Sequence, residues 1–306
     1  MDASEKALLT EALAALVGQQ PADLTSALRE FGWFDLLAED AGIAVTSLFE
    51  LQGERLTSSS ALDALLCHFW GVEATAVVLP VPPGSAAPGV LHDGHLLIDG
   101  VLAGAPSGAA AVATDHGIHL VRVDSLLEPS AGLDLGRGWV RARGSVAVDS
   151  RAAAADWPQA LRVARLAIAS ELIGIGRWML RTGIEHTTSR HQFGRPLASF
   201  QVVKHKLADV RLWQEVAELA VASAWEDGDP VSAALAAASA GRFVRTAREN
   251  VQQVLGGMGF SWEHPFHTYL RRALVLESLL GSAPSLRAEI GAQLLSARRL
   301  PALAAL

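Results

Sequence analysis

Cysteine is almost absent from this chain of 306 residues, in which Cys67 is the single thiol. An internal disulfide is therefore excluded, and the composition suits a reducing compartment. A lone cysteine in an apolar stretch is more typical of a small buried side chain than of a nucleophile, so we expect Cys67 in the core.

Long apolar runs and an excess of positive charge are also missing. Charged residues, glycine or proline interrupt the apolar runs well before the ~20 residues that a membrane span requires. The first six residues lack the basic start and apolar core of a signal peptide. The net charge of −7 argues against nucleic acid and against an anionic membrane as a partner. These absences predict a cytoplasmic protein that binds neither.

Aromatic residues make up 6 % of the chain although 50 % of it is hydrophobic, and alanine and leucine dominate the apolar residues. This composition favours helices over sheets. Apolar residues at helical spacing predict two early helices and a third segment, 42–70, that breaks at Ser58–Ser60. The early helices are predicted over 4–18 and 22–38, and the long C-terminal ones over 157–189, 199–227, 230–256 and 284–298.

Between about Val72 and Val148 the pattern changes to short β-rich runs separated by Gly, Pro and Asp-Gly turns, including Asp93-Gly94 and Asp99-Gly100. The predicted strands are Ala76–Leu79, Val90–Leu91, His95–Ile98, Ala110–Ala113, Ile118–Val123 and Trp139–Arg143. This pattern predicts a small antiparallel barrel or sandwich. The chain is therefore expected to be mostly α-helical, with a helical lobe over 1–71, a β-domain over 72–150 and a bundle of long helices over 151–306.

Two short signatures interrupt the C-terminal helical pattern. Residues 190–201 read Arg-His-Gln-Phe-Gly-Arg-Pro-Leu-Ala-Ser-Phe-Gln, and residues 253–262 read Gln-Val-Leu-Gly-Gly-Met-Gly-Phe-Ser-Trp. In the first, the Phe-Gly pair predicts the end of a helix and the proline predicts a restart. In the second, three glycines predict that the backbone comes close to a flat or anionic group.

Both signatures resemble turns of the acyl-CoA dehydrogenase family, which read R-x-x-F-G-x-P-L-x-x-F-Q and Q-x-x-G-G-x-G, in the same order. The family's order of helical lobe, β-domain and long-helix bundle also resembles the predicted order, although the first lobe is short here. The motif resemblance covers about residues 157–281. In that family the two turns hold the adenosine-diphosphate half of FAD across a subunit boundary. The resemblance therefore implies FAD as cofactor and these residues as its contacts: Arg190, Gln192, Phe193, Leu197, Gln201, Gln253, Gly256 and Gly257.

The residue types suit such a ligand. Arg190 can donate charge-assisted hydrogen bonds to a pyrophosphate, and Phe193 offers a flat apolar face to adenine or ribose. Gln201 and Gln253 can bond polar edges, while the paired glycines let backbone N–H groups approach.

Two other features of the family are missing. The region Pro80–Pro88 has neither the T-E-P-x-x-G-S-D-type loop nor a following W-I-T/S-type strand, and its prolines remove backbone donors. Abstraction of the α-proton of an acyl thioester also requires a carboxylate base. An ungapped match places Gly281 at one of the family's two base positions and Ala164 at the other. We therefore predict no catalytic residue on this chain.

Three carboxylates are candidates for a displaced base, and Glu277 comes first because a small gap in the match would move it to the position of Gly281. Glu171 and Glu263 suit the role less well. His264 and His267 are three residues apart, but no third ligand follows at a suitable spacing, so we predict no metal site.

A chain that has both signatures but lacks the catalytic base resembles the short subunits of actinobacterial heterotetrameric acyl-CoA dehydrogenases. Those enzymes act on CoA thioesters of steroid side chains. The resemblance implies a longer partner subunit that supplies the base and the flavin-ring contacts. It also implies an acyl-CoA substrate and an electron-transfer flavoprotein as acceptor, and it implies that this chain alone is inactive. Two alternatives remain: a self-sufficient homo-oligomeric dehydrogenase with a displaced glutamate, and a flavin-free scaffold subunit.

Overall fold

The computed structural model describes residues 3–19, 24–129, 134, 138–148, 153–154 and 156–297. The helices that precede the strands are α1 Ala3–Gly18, α2 Leu24–Phe31, α3 Trp33–Glu39, α4 Ala41–Arg55 and α5 Ala61–Trp70. The predicted helix over 22–38 is divided because Gly32 takes a left-handed φ of 82°. Its first residues, 22–23, lie outside the described residues. The predicted break at 58–60 is confirmed, since α4 ends at Arg55 and α5 begins at Ala61.

The C-terminal helices are α6 Trp157–Ser189, α7 Gln201–Asp227, α8 Pro230–Leu255, α9 Phe266–Leu276 and α10 Ala283–Ala297. Side-chain caps explain why α6 and α8 begin where the sequence predicts. The Asp156 carboxylate accepts a hydrogen bond from the Gln159 N–H, and the Asp229 carboxylate accepts one from the Val231 N–H. Sequence periodicity did not predict α9, whose 11 residues follow Pro265 directly. Residue 298, the predicted end of the last helix, is outside the described part.

Contacts at small residues fix how the long helices pack. Gly176 in α6 lies against the Phe243 ring in α8, and Gly183 lies against Val251, so α6 and α8 run parallel. The Lys206 backbone carbonyl accepts a hydrogen bond from the Asn250 side chain, which places the start of α7 beside the end of α8. The end of α6, the start of α7 and the end of α8 therefore share one end of the bundle. We call this the signature end, formed by residues 189–201 and 253–262.

The helical lobe packs on α6 through a close crossing. A Cβ atom on Gly53 of α4 would lie 2.1 Å from the Glu171 carbonyl oxygen of α6, and one on Gly174 would lie 2.0 Å from the Glu50 carbonyl oxygen. No side chain fits at either position. The lobe and the long helices consequently share one apolar core, whose largest buried side chains include Trp33, Phe49 and Phe243.

The strands between the two helical parts form two sheets. They are β1 Ala76–Val77, β2 Leu79–Pro80, β3 Gly89–His92, β4 His95–Leu102, β5 Ala110–Ala113, β6 Ile118–Val121, β7 Leu127–Pro129 and β8 Val140–Ala147. One sheet has the order β1-β5-β6, and the other has β2-β4-β8-β7 with β3 also paired to β4. A separate apolar cluster, which includes Val78, Leu96, Ile98 and Val112, packs this β-rich part. The mostly helical fold with a small β-rich part is as predicted, but β1 and β5 pair in parallel rather than antiparallel fashion.

Two local predictions in the β-rich part were wrong. The predicted strand Ala76–Leu79 is divided at Val78, so that its halves join different sheets. Asp99-Gly100, predicted as a turn, lies inside β4. A Cβ atom on Gly100 would lie 2.3 Å from Val78 Cγ1, so this glycine permits a close approach of two backbones. The predicted boundary at 150/151 lies outside the described residues.

None of the helices among the described residues is both long enough and apolar enough to cross a membrane.

Candidate functional site

The first signature forms a hairpin at the signature end. Helix α6 ends at Ser189, four residues before the predicted Phe-Gly stop, and the Arg190 N–H donates to the His186 carbonyl at 2.9 Å. The hairpin consists of β9 His191–Gln192 and β10 Arg195–Pro196. Phe193 and Gly194 form its tip with φ angles of 54° and 79°, which is why glycine follows the phenylalanine there.

An aromatic side chain at the hairpin tip is almost fully in solvent. Phe193 is 89 % exposed, and its ring makes an edge contact with Phe200, with centroids 6.0 Å apart. The Arg195 guanidinium lies 4.1 Å from the centroid of the Phe200 ring and holds the base of the hairpin. Gln192 and Gln201 are exposed as well, whereas Leu197 is half-buried. The backbone of the hairpin thus holds the Phe193 ring in solvent, where it is available to a ligand or a partner.

The second signature is an open glycine turn at the end of α8. The helix ends at Leu255, and a 3₁₀ turn follows over Gly256–Phe260. Gly256 has a φ of 59° and needs to be glycine for conformational reasons. Gly257 has no such need, and a Cβ atom there would meet no atom within 4 Å. The space beside Gly257 is therefore not filled by its own chain.

Gly259 behaves differently from its two neighbours. A Cβ atom on Gly259 would lie 3.0 Å from the Gln252 carbonyl oxygen, so its close approach is to its own helix. The prediction that all three glycines face a ligand is thus wrong for Gly259, because this residue packs inward. Gln253, on the last turn of α8, is exposed.

Arg190 supplies a positive charge at the signature end. The exposed Arg190 guanidinium forms no ion pair within the described part of the chain. The pKa of His186 is lowered by partial burial and then by the nearby charges of Arg190 and His264. This guanidinium, an exposed aromatic ring and an uncovered glycine backbone would together suit an anion joined to a flat ring system.

The side chain of Arg165 lies against one of the two counted base positions, Gly281. The guanidinium of Arg165, the residue after Ala164, donates from Nε to the Leu280 carbonyl at 3.0 Å. A Cβ atom on Gly281 would lie 3.4 Å from Arg165 Nη2 and 2.9 Å from Leu286 Cδ2. Arg165 also binds Glu289 through two hydrogen bonds of 2.8 and 2.7 Å. This neighbourhood is therefore filled by the chain's own side chains.

Sequence reasoning missed Arg165 and Glu289. The signal for Arg165 was an arginine inside an otherwise apolar stretch of helix, where a charge needs a partner. Nothing in the sequence connects it to Glu289, which lies 124 residues further along the chain.

Of the three candidate bases, Glu277 and Glu171 are paired with arginines. The Glu277 carboxylate pairs with Arg245 at 3.3 Å and with Arg248, both on α8. Burial raises the pKa of Glu277, while the two arginines oppose that shift. Glu171 is buried and pairs with Arg272. Glu263 is exposed in the turn that follows the second signature.

The structure also shows the contacts of the segment Pro80–Pro88 and of the histidines His264 and His267, which the sequence analysis considered as a flavin-binding loop and as metal ligands. In the segment Pro80–Pro88, the Gly84 N–H donates to the Val81 carbonyl at 2.8 Å, and the Ser85 carbonyl accepts from the Trp157 indole. The His264 ring accepts a bond from the Phe266 N–H, and the His267 ring contacts the His264 carbonyl. Across the described residues, no group of three or more His, Cys, Asp or Glu side chains could hold a metal ion.

Comparison with known proteins gives one family match. Residues 157–295 match the family described as acyl-CoA dehydrogenase, C-terminal domain. Acyl-CoA dehydrogenase FadE34 of Mycobacterium tuberculosis is 39 % identical over 128 residues, which cover 40 % of this chain and 18 % of that protein. Acyl-CoA dehydrogenase IpdE2 of the same organism is 38 % identical over 119 residues, covering 39 % and 37 %. The chain thus matches well under half the length of these curated relatives.

Solved structures resemble the chain over almost its whole length. A variant of the Tcur3481-Tcur3483 steroid acyl-CoA dehydrogenase superposes with a TM-score of 0.77 at 21 % identity, covering 96 % of this chain and 99 % of that one. The ChsE4-ChsE5 complex from Mycobacterium tuberculosis gives a TM-score of 0.74 at 19 % identity, covering 99 % of both chains. At such identities the comparison shows a shared fold.

Proposed function

We propose that this chain is one subunit of a hetero-oligomeric, FAD-dependent acyl-CoA dehydrogenase, because residues 157–295 match the family described as acyl-CoA dehydrogenase, C-terminal domain. In this proposal the signature end binds the adenosine-diphosphate half of an FAD whose reactive ring lies in a partner subunit. When bound, the flavin accepts the hydride that leaves the β-carbon of the acyl thioester.

The open space at Gly257 carries the proposal. No contact among the described residues requires a glycine there, and the exposed side chains of Phe193 and Arg190 belong to the same end of the bundle. A pyrophosphate would receive charge-assisted hydrogen bonds from Arg190, and a nucleoside would cover the Phe193 ring. A partner subunit that completes the site would also remove this ring from water.

The partner supplies the proton acceptor in this proposal. Leu286 and the Glu289-bound Arg165 lie against Gly281, Ala164 is buried, and Glu277 is engaged by two arginines. A carboxylate that abstracts an α-proton needs an apolar pocket open to the thioester. These contacts support a chain that is inactive alone and active with a longer dehydrogenase subunit.

We propose the substrate class and the electron acceptor from the names of two fold neighbours. One similar structure is named as a steroid acyl-CoA dehydrogenase, and an electron-transfer flavoprotein is another fold neighbour at a TM-score of 0.69. By analogy with these names, we propose a CoA thioester of a steroid side chain as the substrate. An electron-transfer flavoprotein serves as acceptor.

Gly257→Ala tests the nucleotide contact with little risk to the fold. The added methyl group meets no atom of the chain, so the melting temperature should stay within about 1 °C of wild type. In the complex with the longer subunit it should meet the nucleotide and weaken FAD binding by about tenfold or more. Gly291→Ala is the matched control, because a Cβ atom there also meets nothing within 4 Å. Flavin absorbance per complex and fluorescence titration of FAD measure the effect.

Arg190→Ala should weaken FAD binding by about 10- to 100-fold, since a charge-assisted bond is worth about 1.5–3 kcal/mol. Arg122→Ala, which removes another exposed arginine, should leave flavin content unchanged. If neither Arg190→Ala nor Gly257→Ala changes the flavin content and the turnover of the complex, the proposal is contradicted. That result would favour a flavin-free scaffold.

The rival function is a self-sufficient dehydrogenase with a displaced carboxylate. One observation favours a self-sufficient enzyme: the Glu289 carboxylate binds Arg165, which lies beside Gly281. Expression of the chain alone separates the two functions. Yellow protein that turns over acyl-CoA without a partner, and loses turnover with Glu289→Gln or Glu277→Gln, would establish the rival.

A further inference from the structure

A groove opens to solvent in the helical lobe, where the lobe meets the first strand. Its volume is about 740 Å³, which lies within the ~300–1,000 Å³ typical of small-molecule sites. We call it the lobe groove. One wall carries Arg29 and Phe34, the other carries Ala64 and His68, and the loop 71–75 closes one end.

An aromatic ring flanked by two basic side chains forms the centre of the lobe groove. The left-handed Gly32 separates α2 from α3, so that Arg29 of α2 and Phe34 of α3 meet across the turn. The Arg29 guanidinium lies 5.6 Å from the centroid of the Phe34 ring, and the His68 ring lies 5.5 Å from it on a different helix. Phe34 is half-buried, whereas both basic side chains are exposed.

Other polar groups that line the lobe groove already have partners. The Thr75 hydroxyl accepts a hydrogen bond from the Gly108 N–H at 3.0 Å and donates to the Ala109 carbonyl at 3.2 Å. At the end of α5, the Cys67 carbonyl accepts from the Val72 N–H at 3.1 Å. These groups therefore have little left to offer a ligand.

Three exposed polar side chains of the lobe groove remain available. Arg29, His68 and Glu73 form no hydrogen bond or ion pair with another residue of the described part of the chain. Arg29 and His68 flank the Phe34 ring, while Glu73 lies in the loop that closes the end. The groups that can meet a ligand at the ring are therefore N–H donors, and the guanidinium among them is always charged.

We propose that the lobe groove binds a flat organic anion, a ring system that carries one carboxylate or sulfonate group. The rings lie against Phe34 and the small side chain of Ala64. The acid group receives a charge-assisted hydrogen bond from Arg29 and an N–H bond from His68. Glu73 repels an anion at the closed end, so the acid group points towards Arg29.

The lobe groove lies far from the signature end. Trp70, the last residue of α5, contacts Trp157, the first residue of α6, with ring centroids 6.4 Å apart. The signature end lies at the other end of α6, whose 33 residues span roughly 50 Å. A ligand in the groove therefore does not touch a nucleotide at the signature end, and this site does not depend on the proposed function.

Two fluorescent probes that share one ring system test the preference for an anion. Anilinonaphthalene sulfonate carries the acid group, and phenylnaphthylamine is the same molecule without it. Fluorescence titration of the full chain should show one groove site per chain, with the sulfonate bound at least about fivefold more tightly than the neutral probe.

Filling the lobe groove separates this site from other apolar surfaces that bind the probes. Ala64→Leu adds a larger side chain to the half-buried wall and should remove one sulfonate site per chain. Ala38→Leu makes the same change at an exposed position of α3 outside the groove and should keep the site. Thermal melting followed by circular dichroism shows that both variants fold.

Charge variants test the placement of the acid group. Arg29→Gln should weaken binding of the sulfonate by about 3- to 10-fold and leave the neutral probe unchanged, because only the sulfonate accepts a charge-assisted bond. Arg29→Lys keeps the charge and should weaken it by at most about twofold. Glu73→Gln removes a repulsive charge and should tighten sulfonate binding by up to about threefold.

Two results would overturn the proposal. One is a sulfonate titration that is the same for wild type and Ala64→Leu, including no binding to either. The other is an Arg29→Gln variant that binds the sulfonate as wild type does, or that weakens both probes equally. Loss of the site in Ala64→Leu together with a selective effect of Arg29→Gln would establish the anion site.

Discussion

At the scale of single residues, burial controls the chemistry of Cys67. Its side chain is 7 % exposed and lies 3.9 Å from the Ala74 carbonyl. Burial, reinforced by the charge of Asp63, raises the pKa of the thiol to about 12. The reactive thiolate is thereby suppressed, so the residue behaves as the small apolar side chain that the sequence predicted.

We expect the Cys67 thiol to be nearly inert in the folded chain. At pH 8 the thiolate fraction should be about 10⁻⁴, so reaction with a disulfide reagent such as DTNB should be at least about 100-fold slower than with free cysteine. In 6 M guanidinium chloride one thiol per chain should react quickly, which provides the internal control. Fast stoichiometric reaction under native conditions would show that the thiol is accessible.

At the scale of elements, helix termini show how local chemistry fixes structure. Asp229 caps α8 with Oδ1 contacts to the Val231 and Ser232 N–H groups at 2.8 and 3.1 Å, and Pro230 follows at the first helical position. Partial burial alone would raise the pKa of Asp229, but hydrogen bonds from Ser232 and the amides outweigh it and lower the pKa. Folding therefore favours the ionised carboxylate.

Asp229→Ala should lower the free energy of unfolding by about 1–2 kcal/mol, the usual cost of a lost cap. Asp229→Asn should keep most of the cap but lose its pH dependence. Since the folded pKa lies below the ordinary value of 3.8, the ionic contribution is fully present above pH 3.8 and is lost as pH falls through the folded pKa. The stability difference between wild type and Asp229→Asn should shrink accordingly in urea titrations below pH 4. A difference that grows there would contradict this sign.

At the scale of the whole molecule, one arginine links three distant parts of the chain. Arg272 of α9 is buried, binds Asp134 between β7 and β8 at 2.8 Å, and binds Glu171 of α6. Burial alone would lower the pKa of Arg272, but the two carboxylates have the larger effect and raise the pKa. The β-rich part and the long helices are therefore held together by a buried charge cluster.

Arg272→Met should destabilise the chain by about 3–5 kcal/mol, because two buried carboxylates lose their counter-charge. Adding Glu171→Met should recover part of the lost stability. Urea unfolding of wild type and both variants measures the two effects, and a double variant no more stable than Arg272→Met would argue against the charge explanation.

The candidate site was predictable to the extent that it depends on residue type. Arg190, Phe193 and Gly257 carry their chemical meaning in the sequence, and the structure places all three at one end of the bundle. Their arrangement was not predictable, because it requires α6 and α8 to run parallel in direct contact. The parallel direction follows from contacts such as Gly176 with Phe243, which are 67 residues apart.

The sequence by itself determined where α6, α7 and α8 begin and end to within about two residues. Caps such as Asp156 and Asp229, and the left-handed φ of 70° at Gly228, act on neighbours only a few residues away. Tertiary structure alone decided that Val78 divides a strand between two sheets and that Gly259 faces inward. It also decided that Gly281 lies against the Arg165–Glu289 pair. These outcomes depend on which surfaces pack together, and packing joins residues whose separation along the chain leaves no local signal.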